Sequence, residues 1–373
     1  CIKNKDMGKI KVLLTIPNFD TAGSGKVLYD LAYGLDKNIF DVEIACSNNK
    51  GKFFKVIEAL GLKVHIVKTT TDYRPFISLP FRLLKIARFF RKNKFDIIHS
   101  WHWSSDWTEA LAARMAGIKW IYTKKAMSWG SPRSWRMRSK LSTFITTINP
   151  DMEPAYFQGY KNVRLLPLGL DTDYYCRQEK KYSHEDISYT KEDFVVISVV
   201  NLIKVKGLEV LIDAIKMIDD KHVKLLIVGN YDSDYGRGIC QKIIDESLSD
   251  RIKMTGKVLD VRPYIALGDI FVIPTNVNWE GMPMAPVEAM SSGRIVVGTN
   301  TTGVNYILKG FETLLVPPND SVAIAEKIKE VRSMPAEEKQ QLELKIRDKV
   351  CREYSINAFA QNYGNLYKEL CNA

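Results

Sequence analysis

Short apolar segments alternate with helical periodicity along most of the chain. Residues 9–17 (KIKVLLTIP), 41–46 (DVEIAC), 63–67 (KVHIV), 96–100 (DIIHS), 119–123 (KWIYT) and 144–148 (FITTI) read as buried strands. Helical spacing fills several gaps, as at 26–35 and 106–115. Such alternation predicts parallel strands joined by crossover helices, the doubly wound sheet. The pattern breaks at residues 178–193, which are polar and without period. A second series follows at 194–200 (FVVISVV), 223–229 (VKLLIVG), 251–256 (RIKMTG), 269–275 (DIFVIPT) and 295–299 (IVVGT). The expected fold class is therefore α/β, two tandem Rossmann-like domains facing across a cleft. The domains are placed at 1–170 and 194–354, joined by a linker at 171–193. Helical sequence resumes from Ser321, and a last helix, about 355–373, is expected to pack back on the first domain. Open sheets bind ligands at the carboxyl ends of their strands, so the gap between two such sheets is the default site.

Composition narrows the class. With 373 residues, 46% of them hydrophobic and 26% charged, the chain can fill two cores and is not disordered. No apolar run approaches the roughly 18 to 20 residues that cross a bilayer. The six cysteines form no C-x-x-C pair, which argues against a zinc module or disulfide scaffold and fits a reducing cytoplasm. Met7, shortly before the first strand, reads as the start, in preference to Cys1 as a lipidated terminus. The expected location is cytoplasmic, with peripheral attachment to the inner face of the membrane.

Charge is uneven. The net charge is +11, but residues 1–170 carry 28 basic and 13 acidic side chains, an excess of +15, and the remainder is −4. Seven basic residues and no acid lie between Asp72 and Asp96. Within 79–94, Leu83, Ile86, Ala87 and Phe90 recur at helical spacing, so a helix would bury that stripe and present Arg82, Lys85 and Arg88. No acid lies between Glu109 and Asp151, where SWGSPRSWRMRSK adds Trp129, Trp135, Arg133, Arg136 and Arg138. A basic face with aromatics suits an anionic membrane surface or a phosphate-bearing acceptor; it is equally the solvated side of a core helix. Nucleic acid is not expected, because no nucleic-acid module signature is present.

Candidate chemistry lies beyond strand ends. After the first strand, Gly23-Ser24-Gly25-Lys26 offers a glycine turn entering a helix, where backbone N–H groups face an anion. It is not a P-loop: Asp20 stands where the first glycine belongs and Val27 where Ser or Thr belongs. In NWEGMPMAPVEAMSSG, Pro283 and Pro286 sit where a helix could start, which places Glu280 in the preceding loop and Glu288 on the first or second turn. Two carboxylates beside a free helix N-terminus suit a ligand with hydroxyls at both ends and phosphate between them. Lys204 and Lys206 follow the strand that begins at Phe194; they read as diphosphate cations or as solvated loop charges. The triplets Asp171-Thr172-Asp173 and Asp232-Ser233-Asp234 read as loop and cap residues before metal ligands. His99 reads as a satisfied structural histidine, and His102, past the strand end, as the better candidate for chemistry.

Taken together these segments resemble the retaining glycosyltransferases of family 4, which have the GT-B fold. The segment EGMPMAPVEAM with SSGRIVVGTNTTG is similar to the family's E-G-F-G-x4-E-A-M-A-x-G-x-P-V-V. LLPLGLDTDYY, VVNLIKVKG and LLVPPND resemble I-P-N-G-V-D-x3-F, G-R-L-x3-K-G and L-V-P-P-x-D. The resemblance runs from Lys9 onward. It implies that the first domain is the acceptor side and the second binds a nucleotide sugar. It implies that Glu280 holds donor-sugar hydroxyls and Glu288 the ribose. Gly281, Met282, Pro283 and Met284 would present main-chain groups, Lys206 would contact the diphosphate, and Gly23, Ser24 and Gly25 would close over it. Asn201 stands where the family has arginine, with Lys204 available to compensate, and Asn305 where it usually has glutamate. His99 and His102 are spaced one residue wider than the family's H-x-H. The implied reaction moves a hexose, with retention and without cofactor or metal, from a nucleoside diphosphate sugar to a saccharide or lipid-linked acceptor, in cell-surface polysaccharide or glycoconjugate synthesis. A sugar-nucleotide epimerase of the same fold and a weakly catalytic nucleotide-sugar-binding subunit are the alternatives.

Overall fold

The computed structural model describes residues 8–20, 22–51, 53–128 and 130–372. Cys1 and Met7, on which the reading of the chain start rests, and Trp129 of the basic loop lie outside the described residues. The chain forms two compact units. One runs to Leu170 and resumes at Ile356; the other is Asp171–Ser355.

The first unit holds a seven-stranded parallel sheet in the order β3-β2-β1-β4-β5-β6-β7. Its strands are β1 (Ile10–Thr15), β2 (Phe40–Cys46), β3 (Lys63–Ile66), β4 (Ile97–Ser100), β5 (Lys119–Lys124), β6 (Phe144–Thr147) and β7 (Val163–Leu165). β1 pairs with both β2 and β4, in register Val12 with Val42 and Val12 with Ile97, so the order reverses direction beside β1. β7 is short and half-buried, too brief for an apolar period to mark it. The helix Leu79–Asn93 buries Leu83, Ile86, Ala87 and Phe90, the stripe expected from spacing. The chain-terminal helix Ile356–Asn372 returns to this unit and buries Phe359, Tyr363, Leu366, Tyr367 and Leu370. Its Tyr367 ring meets Phe40 of β2 at 5.9 Å, edge to face, a favoured aromatic geometry.

In the second unit β8 (Ser183–His184) and β9 (Ile187–Ser188) form a small antiparallel hairpin. The main sheet has the order β12-β11-β10-β13-β14-β15. It comprises β10 (Phe194–Val199), β11 (Val223–Val228), β12 (Ile252–Met254), β13 (Ile270–Ile273), β14 (Ile295–Thr299) and β15 (Leu315–Val316), again all parallel. The direction of the order reverses between β10 and β13, which pair through Val196 and Ile270. β13 and β14 are buried along their whole length, as central parallel strands require.

Residues 171–193 are not a separate linker; they belong to the second unit. Polar bonds, invisible to an apolar pattern, fasten them. Lys180 Nζ donates to both Asp269 carboxylate oxygens at 2.9 and 2.7 Å, and Lys181 N–H to the Ala266 carbonyl at 2.8 Å. Tyr175 O accepts from Ser291 Oγ at 2.8 Å, and Gln178 O from Arg294 Nη2 at 3.1 Å.

Candidate functional site

In the second unit the expected donor residues gather at the carboxyl ends of β10 and β13, beside the reversal in strand order. That is where open α/β sheets bind ligands. After β10 the chain makes one 3-10 turn, Lys204–Lys206, closed by Gly207 at φ +66°. A Cβ on Gly207 would lie 2.1 Å from the Pro274 carbonyl oxygen, so this turn is packed directly on the loop leaving β13. Asn276 ties the two loops by donating its N–H to Val205 O at 3.1 Å and its Nδ2 to Lys204 O at 3.2 Å.

That contact brings Lys206 Nζ onto Glu280 Oε1 as an ion pair, with the side chains 16% and 14% exposed. Thr275 Oγ1, fully buried, lies 3.5 Å from the same carboxylate oxygen. Gly303, at φ +83°, packs closely on the Glu280 loop: a Cβ there would fall 2.6 Å from Gly281 O and 3.2 Å from Glu280 Cβ. Pro283 sits at the N-cap of the helix Met284–Ser291, which puts Glu288 on its second turn. The N–H groups of Met284 and Ala285, in the first turn, have no acceptor within the helix. Gly281, Met282 and Pro283 are buried and Glu288 is partly exposed. Asn201 and Lys204 are exposed on the same loop, and among the described residues Lys204 makes no ion pair.

Neither D-x-D triplet gathers ligands. Asp171 Oδ1 accepts the N–H groups of Asp173 and Tyr174, both at 2.9 Å, and Ser233 Oγ caps the helix Asp234–Asp245 through Gly236 N–H at 3.0 Å. Asp320, the acid of the segment LLVPPND, caps the helix Ser321–Ser333 by accepting Ala323 N–H at 2.9 Å.

In the first unit Gly23, Ser24 and Gly25 are not a turn before the helix but its first turn, since the helix Ala22–Gly34 already includes them. His99 is fully buried, with Nδ1 2.6 Å from Tyr367 Oη and Nε2 2.8 Å from Thr123 Oγ1. Burial, reinforced by the Lys125 charge, pushes its pKa well below the ordinary value, so it is neutral. His102 is 4% exposed and turns into the unit, its Nε2 3.4 Å from Thr69 Oγ1 and 3.7 Å from Glu109 Oε1. Burial pushes its pKa down to about 4 against the attraction of Glu109, with Arg138 and Lys125 adding to the fall.

Trp135 and Arg138, expected on a basic, aromatic surface, are instead buried around this histidine, where the guanidinium packs on aromatic rings. Arg138 is fully buried beside Trp120, 4.7 Å from that ring, and donates Nη2 to Ser100 Oγ at 2.9 Å. Lys125, just past the end of β5, lies 3.4 Å from Ser24 Oγ and bonds the Trp101 carbonyl; burial, with Arg138 nearby, pushes it down to about 7. The available signal was the pair Lys124-Lys125 directly after an apolar strand.

Comparison with known proteins defines the class. Residues 21–174 match the model of Glycosyltransferase Family 4, and residues 193–333 that of Glycosyl transferases group 1. The chain is 24% identical over 325 residues to the capsular polysaccharide biosynthesis glycosyltransferase CapH of Staphylococcus aureus, covering 83% of this chain and 88% of that one. It is 24% identical over 300 residues to the UDP-Gal:alpha-D-GlcNAc-diphosphoundecaprenol alpha-1,3-galactosyltransferase of Escherichia coli, covering 74% and 75%. Among solved structures, a glycosyltransferase from Rickettsia africae superposes with a TM-score of 0.82 at 17% identity, covering 98% and 99%. Anabaena HepE in complex with UDP superposes at 0.80 and 17%, covering 96% and 100%. The fold is that of the GT-B enzymes, which carry two Rossmann-like domains. The chain is a glycosyltransferase of the family 4 type.

Proposed function

We propose that the protein transfers a hexose, with retention, from a nucleoside diphosphate sugar to a hydroxyl of a saccharide or lipid-linked acceptor in the synthesis of cell-surface polysaccharide or glycoconjugate. Breaking the anomeric C–O bond leaves negative charge on the diphosphate and positive charge on the sugar ring. In this reading Lys206, Lys204 and the first-turn N–H groups of the helix Met284–Ser291 neutralise the diphosphate. Asn201 lies beside them in place of a further cation. Glu280 accepts hydrogen bonds from the donor sugar and Glu288 from the ribose. Gly281, Met282, Pro283 and Met284 line the sugar and phosphates. No protein nucleophile, metal or cofactor enters; the departing phosphate oxygen takes the acceptor proton as the new C–O bond forms on the same face. His102, buried and turned toward Glu109, transfers no proton in this scheme.

The observation that carries the reading is the Lys206–Glu280 ion pair at the reversal in strand order. It sets a cation for phosphate beside a carboxylate for hydroxyls, the adjacency a sugar diphosphate presents. The acceptor class draws support from the relatives named for capsular polysaccharide and for a diphosphoundecaprenol acceptor. The test is release of nucleoside diphosphate from a panel of nucleotide sugars with a lipid-diphosphate saccharide as acceptor. The linkage formed should keep the anomeric configuration of the donor, and Glu280→Ala should lower turnover at least about 100-fold while the protein stays folded. Wild-type turnover in that variant removes Glu280 from the mechanism, and sugar conversion without acceptor would make the protein an epimerase.

A further inference from the structure

Three exposed apolar side chains adjoin the Lys206–Glu280 pair in the chain and take no part in the donor contacts. Ile203, on the loop leaving β10, is 40% exposed; Val277 and Trp279, on the loop leaving β13, are 41% and 50% exposed. Ile203 directly precedes Lys204, and Trp279 directly precedes Glu280. The two loops are bonded to one another through Asn276, and the turn that carries Trp279 is fixed. Trp279 N–H donates to Val277 O at 2.9 Å, Asn278 Oδ1 accepts Thr302 N–H at 2.9 Å, and Asn319 Nδ2 donates to Asn276 O at 3.3 Å. Among the described residues the Trp279 ring meets no aromatic ring and no cation. An indole held open by a bonded turn is organised in advance for a ligand.

Depth sorts the two substrates. Lys206 and Glu280 are only 16% and 14% exposed, so a sugar diphosphate bound to them lies innermost and the apolar groups lie farther out. The second substrate must reach the anomeric carbon from the open side, and on the diphosphate face if configuration is retained. It has to offer an apolar surface to this rim and a hydroxyl to the donor. A phosphate oxygen as nucleophile would bring its charge against three apolar side chains, an uncompensated desolvation. A sugar ring fits both demands: its C–H faces are apolar and its edges carry hydroxyls, so it can lie flat on an indole while one hydroxyl points inward. We propose that the indole of Trp279, together with Ile203 and Val277, stacks on the ring of the acceptor's terminal sugar, so that the nucleophile is a saccharide hydroxyl and not a lipid phosphate. This inference rests on the transferase reading above and narrows its acceptor.

The test offers the full chain a panel of nucleotide sugars with three acceptor types: mono- and disaccharides on a long polyprenyl diphosphate, the same saccharides on a short alkyl diphosphate, and a polyprenyl phosphate without sugar. Wild type should transfer to the saccharides and not to the bare lipid phosphate. Trp279→Ala should raise the acceptor KM at least about tenfold on the long and the short carrier alike, with kcat falling less than about threefold, because stacking holds the acceptor and adds little to the chemical step. Trp279→Phe, which keeps an aromatic face, should recover most of that loss. The calorimetric Kd for nucleoside diphosphate should stay within about twofold in both variants, and an unchanged melting temperature checks that each is folded. Transfer to the bare lipid phosphate, a wild-type acceptor KM in Trp279→Ala, a loss confined to the long carrier, or an equal loss of nucleoside diphosphate binding would each overturn the inference and leave the transferase reading standing. A wild type that transfers no sugar from any donor would remove that reading, and this inference with it.

Discussion

Lys206 and Glu280 form an ion pair although 74 residues separate them. Their meeting follows from strand order: β10 and β13 are neighbours, so the loops that leave their carboxyl ends are neighbours too. Gly207 lets those loops touch, because its left-handed backbone and missing Cβ leave room for the Pro274 carbonyl. The pair thus sits at the reversal in strand order, where open α/β sheets bind ligands.

Without ligand, the Lys206 ammonium is shared with Glu280. Glu280→Gln should therefore tighten binding of a nucleoside diphosphate severalfold while turnover falls, because the ammonium is released to the phosphate. Lys206→Met should weaken the same binding by about tenfold or more, one charge-assisted hydrogen bond being worth about 1.5–3 kcal/mol. Calorimetric titration of both variants distinguishes them, and an equal loss in the two would count against a shared ammonium.

Gly303→Ala places a methyl where Gly281 O and Glu280 Cβ already stand, on a backbone at φ +83°. Strain of about 1–3 kcal/mol is expected. Relief by a shift of the Glu280–Gly281 segment would displace the carboxylate. Turnover should drop more steeply than the melting temperature, as seen by comparing kcat with a thermal melt. A variant that loses stability and keeps full kcat would show that this glycine only supports the fold.

His102 is neutral in the fold with its pKa near 4, against an ordinary 6.5. Between those values the unfolded chain binds the proton and the native one does not, so stability must fall as pH drops from about 6.5 toward 4. The loss approaches roughly 3 kcal/mol at 1.36 kcal/mol per unit. His99, depressed by the same burial, adds in the same direction. Chemical denaturation across this range should show the slope, and His102→Gln should flatten part of it.

Tyr367 of the chain-terminal helix is hydrogen-bonded to His99 Nδ1 at 2.6 Å. Tyr367→Phe leaves a buried ring nitrogen without that partner, at a cost of about 1–3 kcal/mol. Urea unfolding measures it. The effect should appear in the unfolding of the first unit, since helix and histidine both belong to it.

Motifs divided once the structure was present. Of the segments that resemble family 4, EGMP carries chemistry in our reading, whereas Asp320 of LLVPPND and Asp171 of LLPLGLDTDYY cap and turn the backbone. Ser291 of the trailing SSG fastens Tyr175. A spacing cannot tell a capping carboxylate from a ligand-binding one, because both are acids beside a helix start. The polar run at 171–193 looks like a linker in sequence for a related reason: ion pairs and carbonyl bonds hold it to the second unit, and these leave no hydrophobic period.

Apolar periodicity in the chain was enough to establish two doubly wound sheets, most of their strands, the buried stripe of Leu83 to Phe90 and a final helix. Each is local, repeated every two or every three to four residues, and set by burial alone. The tertiary structure decided what depends on which distant groups meet: that Glu280 receives Lys206, that His99 is satisfied by Tyr367 from the far end of the chain, and that His102 is buried against Glu109. It also decided that Ile203, Val277 and Trp279 stay open to solvent. Exposure and pairing are properties of neighbours in space, and no window of sequence contains those neighbours.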